Sequence, residues 1–309
     1  MTKDKSGPSS LDALNKIIVF GASGWLGREC ISLFSSIFGN NFLPKIILIG
    51  SSDKSIQVNQ QNYNIISIDN LEPQTKVDLV IDLAFITQEK LEQIGEPQYI
   101  KLNQELRKKI HGFIYESEPK YVYFSSSGAA DIDFMNATKS NSKKVYGELK
   151  LASETELKKI SKDLDFNLLI NRIWSVTGSQ MQDYSKYAIG NFISQALARN
   201  EIKINSSDQV LRSYIDAEDL FQVCFNELLV NKYTLLNSGG FQTTLFDLAS
   251  LVLKVLGSST TQIPNSLEKE FGDDYVSKDF KLNELANSQG LKLRSLEDQI
   301  RNTLRAINS

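Results

Sequence analysis

Residues 16–27 read KIIVFGASGWLG, and this stretch decides the fold. Its first part, Lys16–Phe20, is a short apolar run of the kind found in strands buried on both faces of a parallel sheet. Glycine then recurs at Gly21, Gly24 and Gly27. The first suits a tight turn, the second a close approach of backbone to a phosphate, and the third close packing of helix on strand. The stretch therefore predicts a strand, a glycine turn and a helix whose N-terminus binds a dinucleotide pyrophosphate.

Strands and helices alternate from this stretch to about Gly178. The apolar runs predict strands at 16–20, 45–49, 65–68, 79–83, 121–125 and 168–173, and helical periodicity predicts helices at 25–38, 99–115 and 142–164. This order predicts an α/β fold, a Rossmann-type doubly wound parallel sheet with helices on both faces. The remaining segments predict helices at 187–199, 217–230, 245–256 and 296–307, with short strands at 202–204 and 233–236.

These patterns divide the chain into three parts. We expect a loose N-terminal leader over 1–15 and a dinucleotide-binding domain over 16–178, to which the chain later returns. Residues 179–309 are expected to form a smaller α/β cap that mainly binds substrate.

Composition restricts the possible partners. The 309 residues carry a formal net charge of -3, so no broad basic field is expected to attract nucleic acid or an anionic membrane. No apolar run is long enough to cross a membrane. Cys30 and Cys224 are far apart in sequence and are expected to be reduced, as in a cytoplasmic protein. With His111 as the single histidine, we expect no metal site.

The choice of dinucleotide depends on the end of the second predicted strand. An acid there commonly binds the ribose hydroxyls of NAD, but this sequence has Gly50 and Ser51. Arg28 and Lys54 are nearby cations that would suit a 2′-phosphate, so NADP is favoured over NAD. Alternatively, Asp53 reaches back to the ribose and NAD is the cofactor.

A tyrosine and a lysine lie four residues apart on the long predicted helix. Tyr146 and Lys150 therefore share one face, and an ammonium beside a phenol favours the phenolate. Such a phenol can exchange a proton with a carbonyl or an alcohol. Ser125, Ser126 and Ser127 end the fifth predicted strand, at the edge where parallel sheets bind ligands. A serine-rich turn without a catalytic role is the alternative.

The motifs GASGWLG, YFSSSGAA and YGELK occur in this order, and nearly the whole chain from Lys16 resembles the extended short-chain dehydrogenase/reductase family. This is the group of NAD-dependent epimerases and dehydratases. The resemblance implies a nicotinamide dinucleotide cofactor, a nucleotide sugar as the small-molecule substrate, and a possible homodimer.

The resemblance also implies roles for individual residues. Ser127, Tyr146 and Lys150 correspond to the catalytic residues. Ser126, Ser127 and Arg212 would contact substrate, with Arg212 on a phosphate; the alternative for Arg212 is a surface salt bridge to Asp216 or a neighbouring acid. The expected cofactor contacts are Gly21, Ser23, Gly24, Trp25, Leu26, Gly27, Arg28, Ser51, Asp69, Asn70, Leu83, Ala84, Asn103, Ser125, Tyr146, Lys150 and Ile173.

Two departures from the family pattern concern the fit of the cofactor and the type of reaction. Phe85 replaces a small residue and would crowd the cofactor. Gly128–Ala130 follow the serines, so the acid pair of dehydratases and the glutamate of decarboxylases are missing there. Three functions stay open. The favoured one is reduction of a keto group on a nucleotide-linked sugar, with Tyr146 as proton donor. The others are a C4 epimerase with tightly bound NAD and a non-catalytic dinucleotide-binding sensor.

Overall fold

The computed structural model describes residues 11–39, 43–72, 74–199, 202–204, 209–257 and 274–308. The chain forms two compact units. The first comprises the described residues up to Arg172 together with Phe221–Leu236, and the second comprises Ile173–Leu220 and the described residues from Asn237 onward.

The first unit is built around a mostly parallel sheet. Its strands are β1 (Ile17–Phe20), β2 (Ile46–Gly50), β3 (Lys54–Val58), β4 (Gln61–Ser67), β5 (Leu79–Asp82), β6 (Tyr121–Ser127), β7 (Asn167–Ile173) and β10 (Tyr233–Asn237). Their order in the sheet is β10-β7-β6-β5-β1-β2-β4-β3. β1 pairs in parallel with both β2 and β5, so the sheet winds in two directions from β1, as the Rossmann-type prediction requires.

Helices of this unit connect the strands. They are α1 (Trp25–Phe38), α2 (Glu89–Ile94), α3 (Glu96–Ser117), α4 (Ile132–Ala137), α5 (Asn141–Leu164) and most of α7 (Ala217–Val230). Apolar side chains from strands and helices form a core cluster, in which the Phe20 and Phe113 rings meet edge to face at 5.5 Å. The confirmed fold class therefore follows from the predicted alternation of buried strands and amphipathic helices.

The chain returns to the first unit through α7 and β10, and α7 carries buried aromatic side chains that pack against α1 and β6. Phe225 stacks on Phe34 and on Phe221 at centroid distances of 5.5 Å, and both phenylalanines of α7 contact Tyr123 edge-on. Each fully buried aromatic side chain stabilises the fold by roughly 1.5–3 kcal/mol. β10 then pairs with β7 at the sheet edge.

The second unit contains a small sheet and several helices. β9 (Leu211–Asp216) pairs in parallel with β8 (Ser175–Thr177) and antiparallel with β11 (Phe241–Thr244). The helices are α6 (Ala188–Arg199), α8 (Leu245–Val255), α9 (Lys281–Ser288) and α10 (Leu296–Asn308), and α6 packs against α8 and α10.

Two segments differ from the sequence predictions. Residues 202–204 form no strand; instead the Gln195 side chain accepts a hydrogen bond from the Lys203 N–H at 2.8 Å, which replaces a strand partner. Leu11–Asn15 were predicted to be part of a loose leader, yet Leu14 is buried and the Asn15 N–H donates to Asp78. The rest of that leader, residues 1–10, lies outside the described residues.

Candidate active site

The glycine turn after β1 has the close contacts that its sequence predicts. Gly21 has a φ of 78°, and a Cβ there would lie 2.9 Å from backbone atoms of Leu83 and Ala84. A Cβ on Gly27 would lie 2.4 Å from the Gly21 carbonyl oxygen. Side chains are therefore excluded at both positions. Gly24 is the exposed N-cap of α1 and has no side-chain cap, so the backbone N–H groups of the first turn are presented at the helix N-terminus.

This turn fits the pyrophosphate of a dinucleotide, because a backbone cradle without side chains faces the positive end of α1. Trp25 is half-buried and donates from Nε1 to Glu29 at 3.1 Å. The Arg28 guanidinium donates to the Ser23 carbonyl at 3.3 Å and to the Gln57 carbonyl at 2.7 Å. Arg28 therefore joins the glycine turn to the hairpin of β3 and β4.

The acidic side chain of Asp53 lies at the carboxyl ends of β2 and β4. Asp53 accepts hydrogen bonds from the Ser67 N–H and from the Asn70 side chain, each at 2.6 Å. These bonds fix a carboxylate that follows the end of β2 by three residues. Asp69, expected at the end of a strand, lies in a 3₁₀ turn and forms an ion pair with Lys109 of α3.

The loop after β5 is held by side chains of α3. Asn103 accepts a hydrogen bond from the Ile86 N–H at 3.0 Å, and the Tyr99 hydroxyl donates to the Ile86 carbonyl at 2.8 Å. One turn further along α3, the buried Arg107 pairs with the buried Asp82 and donates to the Ala84 carbonyl at 2.5 Å. Asn103 thus fixes the loop after β5, and its contact with the cofactor stays a prediction.

The three serines that the sequence placed in the site, with Ser127 as the catalytic one, end β6, and two of them contact α5. Lys150 Nζ donates to the Ser125 carbonyl at 2.7 Å, and the Ser126 hydroxyl donates to Glu154. The Ser127 hydroxyl accepts from the Ala129 N–H at 3.1 Å. All three serines are buried.

α5 lies unusually close to the turn that follows these serines. A Cβ on Gly147 would lie 2.1 Å from the carbonyl oxygen of Ala129, so only glycine permits this approach. Because Gly147 is next to Tyr146, this contact brings the half-buried tyrosine to the carboxyl end of β6.

Lys150 is buried among aromatic rings and charged groups. Its Nζ lies 4.1 Å from the Phe85 ring centroid, 5.1 Å from that of Phe124 and 5.9 Å from that of Tyr146. Phe85 also meets Tyr146 edge-on at 5.4 Å. Burial first, and then the charge of Arg107, lowers the pKa of Lys150 to about 7.

The first unit thus brings together Ser125, Ser126, Ser127, Tyr146 and Lys150, with the 82–85 loop beside them. Sequence reasoning missed Asp82, Arg107, Glu154 and Arg172. A signal existed for Glu154, because it follows Lys150 by four residues and extends the face of Tyr146 and Lys150 by one helical turn.

Other predicted site residues lie in the second unit. The Ile173 carbonyl accepts from the Tyr275 hydroxyl at 3.3 Å, and the Tyr275 ring lies 4.9 Å from that of Trp174. The Arg212 guanidinium donates to the Leu211 carbonyl at 2.8 Å. Asp216, the alternative partner of Arg212, is bonded to Arg294 and Asn302.

The cysteines and the histidine have structural environments. Cys30 and Cys224 are free and buried, and burial raises the pKa of both thiols. His111 is buried with Nδ1 3.1 Å from Glu156, and burial lowers its pKa. Across the described residues, no cluster of three potential metal ligands is found, and no helix is long and apolar enough to span a membrane.

The fold and this site define a dinucleotide-binding protein of the doubly wound class. The family model for the NAD dependent epimerase/dehydratase family matches residues 17–228. The chain belongs to this family. No curated protein gives a significant match to the chain.

Solved structures with the same fold include sugar-nucleotide enzymes. The UDP-N-acetylglucosamine 4-epimerase of Methanobrevibacter ruminantium M1, in complex with UDP-N-acetylmuramic acid, is 18% identical with a TM-score of 0.73; the match covers 95% of this chain and 98% of that one. The UDP-glucose 4-epimerase of Thermotoga maritima, with UDP-glucose, gives the same four values. The UDP-glucuronic acid 4-epimerase of Bacillus cereus, in complex with UDP-glucuronic acid and NAD, is 18% identical with a TM-score of 0.70, over 95% and 99% of the two chains.

Proposed function

We propose that this protein is a nucleotide-sugar 4-epimerase that works with bound NAD. The observation that carries the proposal is the grouping of Tyr146, Lys150 and the β6 serines in a unit that also has a pyrophosphate cradle. A dinucleotide held on the cradle supplies the hydride acceptor and donor. The family membership and the 4-epimerases among the structural neighbours support the same activity.

The residues of the chain supply the proton chemistry. Tyr146 takes the proton of the sugar C4 hydroxyl. It returns this proton after the keto sugar has turned its other face toward the hydride donor, so the net reaction inverts C4. Ser127, at the end of β6, holds the reacting oxygen by hydrogen bonding. Lys150 favours the phenolate of Tyr146 while it is charged. In the second unit, we assign Arg212 to a phosphate of the nucleotide.

Two contacts support NAD, although the sequence favoured NADP. The Asp53 carboxylate is fixed at the carboxyl ends of β2 and β4, where its charge repels a 2′-phosphate. The Arg28 guanidinium, the cation expected to meet that phosphate, donates to two backbone carbonyls.

A second candidate function is an NADPH-dependent reductase of a keto sugar. This function is favoured by the end of β2, where Gly50 and Ser51 stand instead of an acid that would repel the 2′-phosphate of NADPH. The reductase would use the same Tyr146 as proton donor, so cofactor turnover distinguishes the two functions.

The test is turnover without added cofactor. The protein is loaded with NAD, freed of excess, and given UDP-glucose or UDP-N-acetylglucosamine, chosen because UDP-sugars occupy the structural neighbours. Proton NMR is expected to show the C4 epimer. Tyr146→Phe should lower turnover by roughly 100-fold or more while NAD binding persists.

The exposed Tyr115 on α3 offers a matched control, and Tyr115→Phe should leave turnover unchanged. Consumption of NADPH with a keto sugar, and no epimer from either UDP-sugar, would replace the epimerase by the reductase. Dinucleotide binding with neither reaction would support a non-catalytic sensor instead.

A further inference from the structure

Arg107 ties together the two ends of the turn that follows β5. Its guanidinium pairs with Asp82, whose side chain is 0% exposed, and its Nη2 donates to the Ala84 carbonyl. Only 7% of the Arg107 side chain is exposed. Among the described residues its Nε has no hydrogen-bond partner, so a full positive charge is held in the core by one carboxylate and one carbonyl.

The same guanidinium shares two aromatic rings with Lys150. Arg107 Cζ lies 5.7 Å from the centroids of both Phe85 and Phe124. Lys150 Nζ lies 4.1 and 5.1 Å from the same two centroids. Two buried cations thus lie against the same pair of rings, where their like charges disfavour each other.

We propose that Arg107 is a positioning residue that acts on the reaction through Lys150, by holding a second positive charge against the rings that carry the lysine ammonium. The value of Lys150 to catalysis rests on the proposed function, but the contacts between Arg107 and the lysine environment do not.

The charged groups around Lys150 indicate the direction of the effect. Burial and then Arg107 lower the pKa of Lys150, whereas Asp82 and Glu154 raise it by smaller amounts. Tyr146, one helical turn earlier, also faces the ammonium. At neutral pH the lysine is therefore only partly charged, and removal of the guanidinium favours the charged form.

The experiment is a direct titration of Lys150 in the free protein. Protein with ¹³C-labelled lysine is followed by NMR across pH, and the resonance is assigned by its loss in Lys150→Met. In the unsubstituted protein this resonance should titrate near pH 7. In Arg107→Met it should titrate at more alkaline pH, whereas Arg107→Lys keeps the charge and should remain near the original value. Arg301→Met, at an exposed arginine of α10, is the matched control and should change nothing.

Arg107→Met leaves Asp82 buried without its arginine, so Asp82→Asn/Arg107→Met is prepared in parallel and removes both charges. In the double variant Lys150 should also titrate at a more alkaline pH than in the unsubstituted protein. The shift should be smaller than in Arg107→Met, because Asp82 also affects Lys150 but less than Arg107 does. An unchanged titration in the folded double variant overturns the proposal, as does an equal shift in Arg107→Lys and Arg107→Met. Since no substrate is present, failure of the epimerase assay leaves this test intact.

Discussion

Ser126 donates a hydrogen bond to Glu154, which follows it by 28 residues, and both side chains are buried. The same carboxylate accepts three further bonds from Arg172, two from Nε at 3.0 and 3.3 Å and one from Nη2 at 2.8 Å. Glu154 therefore connects the end of β6, α5 and β7 through one buried charge.

We expect Glu154→Gln to destabilise the protein by about 1.5–3 kcal/mol. The substitution replaces charge-assisted hydrogen bonds by neutral ones and removes a negative charge that opposes the charge of Arg172. Urea unfolding measures this difference. Glu148→Gln, at an exposed position of the same helix, should stay within about 0.5 kcal/mol of the original protein. Equal effects of the two substitutions would contradict a structural role for the buried charge.

Gly27→Ala should both destabilise the protein, by about 1–3 kcal/mol, and weaken dinucleotide binding, since its methyl group overlaps the Gly21 carbonyl oxygen. Thermal unfolding and titration with NADH measure the two effects. Gly112→Ala is the control, because a Cβ at this exposed position of α3 meets nothing within 4 Å. Alanine there should stabilise the helix by up to about 1 kcal/mol. Tolerance of alanine at Gly27 would show that the turn is less tight than described.

Asp219 should make the stability of the second unit fall as pH rises. Burial raises the pKa of Asp219 to about 6, and Arg294, which opposes the shift, is shared with Asp216 and Glu218. The folded state thus binds a proton more tightly than the unfolded state. This contribution is complete below the unfolded pKa and is lost as pH rises through the folded pKa.

Comparison of Asp219→Asn with the unsubstituted protein isolates this contribution. Between pH 4 and 7, the unsubstituted protein should lose about 1–3 kcal/mol of stability relative to the variant, measured by urea unfolding at each pH. The opposite trend would mean that the ion pair with Arg294 outweighs burial.

Asp53→Asn should shift cofactor preference toward NADPH, because it removes the charge that would repel a 2′-phosphate. A loss of about 1.4 kcal/mol of repulsion raises NADPH affinity relative to NADH by roughly tenfold. Nicotinamide fluorescence gives both affinities. Glu72→Gln, an exposed acid in the same unit, is the matched change and should leave their ratio unaltered. A constant ratio in Asp53→Asn would remove Asp53 from the cofactor site.

Sequence patterns predicted the central part of the fold because its strands are buried on both faces. The run KIIVF and the glycines after it admit few alternatives. The strand β3 was missed because its residues alternate between exposed and buried at the sheet edge, and a turn at Asn59 and Gln60 with positive φ joins it to β4. Residues 202–204 show the reverse error, since Ile202 and Ile204 are buried without belonging to a strand.

The site was predictable only where a local motif specifies it. The four-residue spacing of Tyr146 and Lys150 on one helix indicates from sequence that they share a face. No local pattern indicates Arg107, because its environment depends on Asp82, 25 residues earlier, and on rings from two other segments. Such pairings between distant parts of the chain are set by tertiary packing, which periodicity does not report.

The return of the chain through α7 and β10 has a consequence for biosynthesis. A ribosome releases the glycine turn and the predicted catalytic residues first, yet β10 and the aromatic face of α7 emerge only after the chain has passed residue 220. Until then the nascent first unit exposes Phe34, Tyr123 and the open edge of β7. Exposed apolar surface and an unpaired strand edge make such an intermediate prone to aggregation.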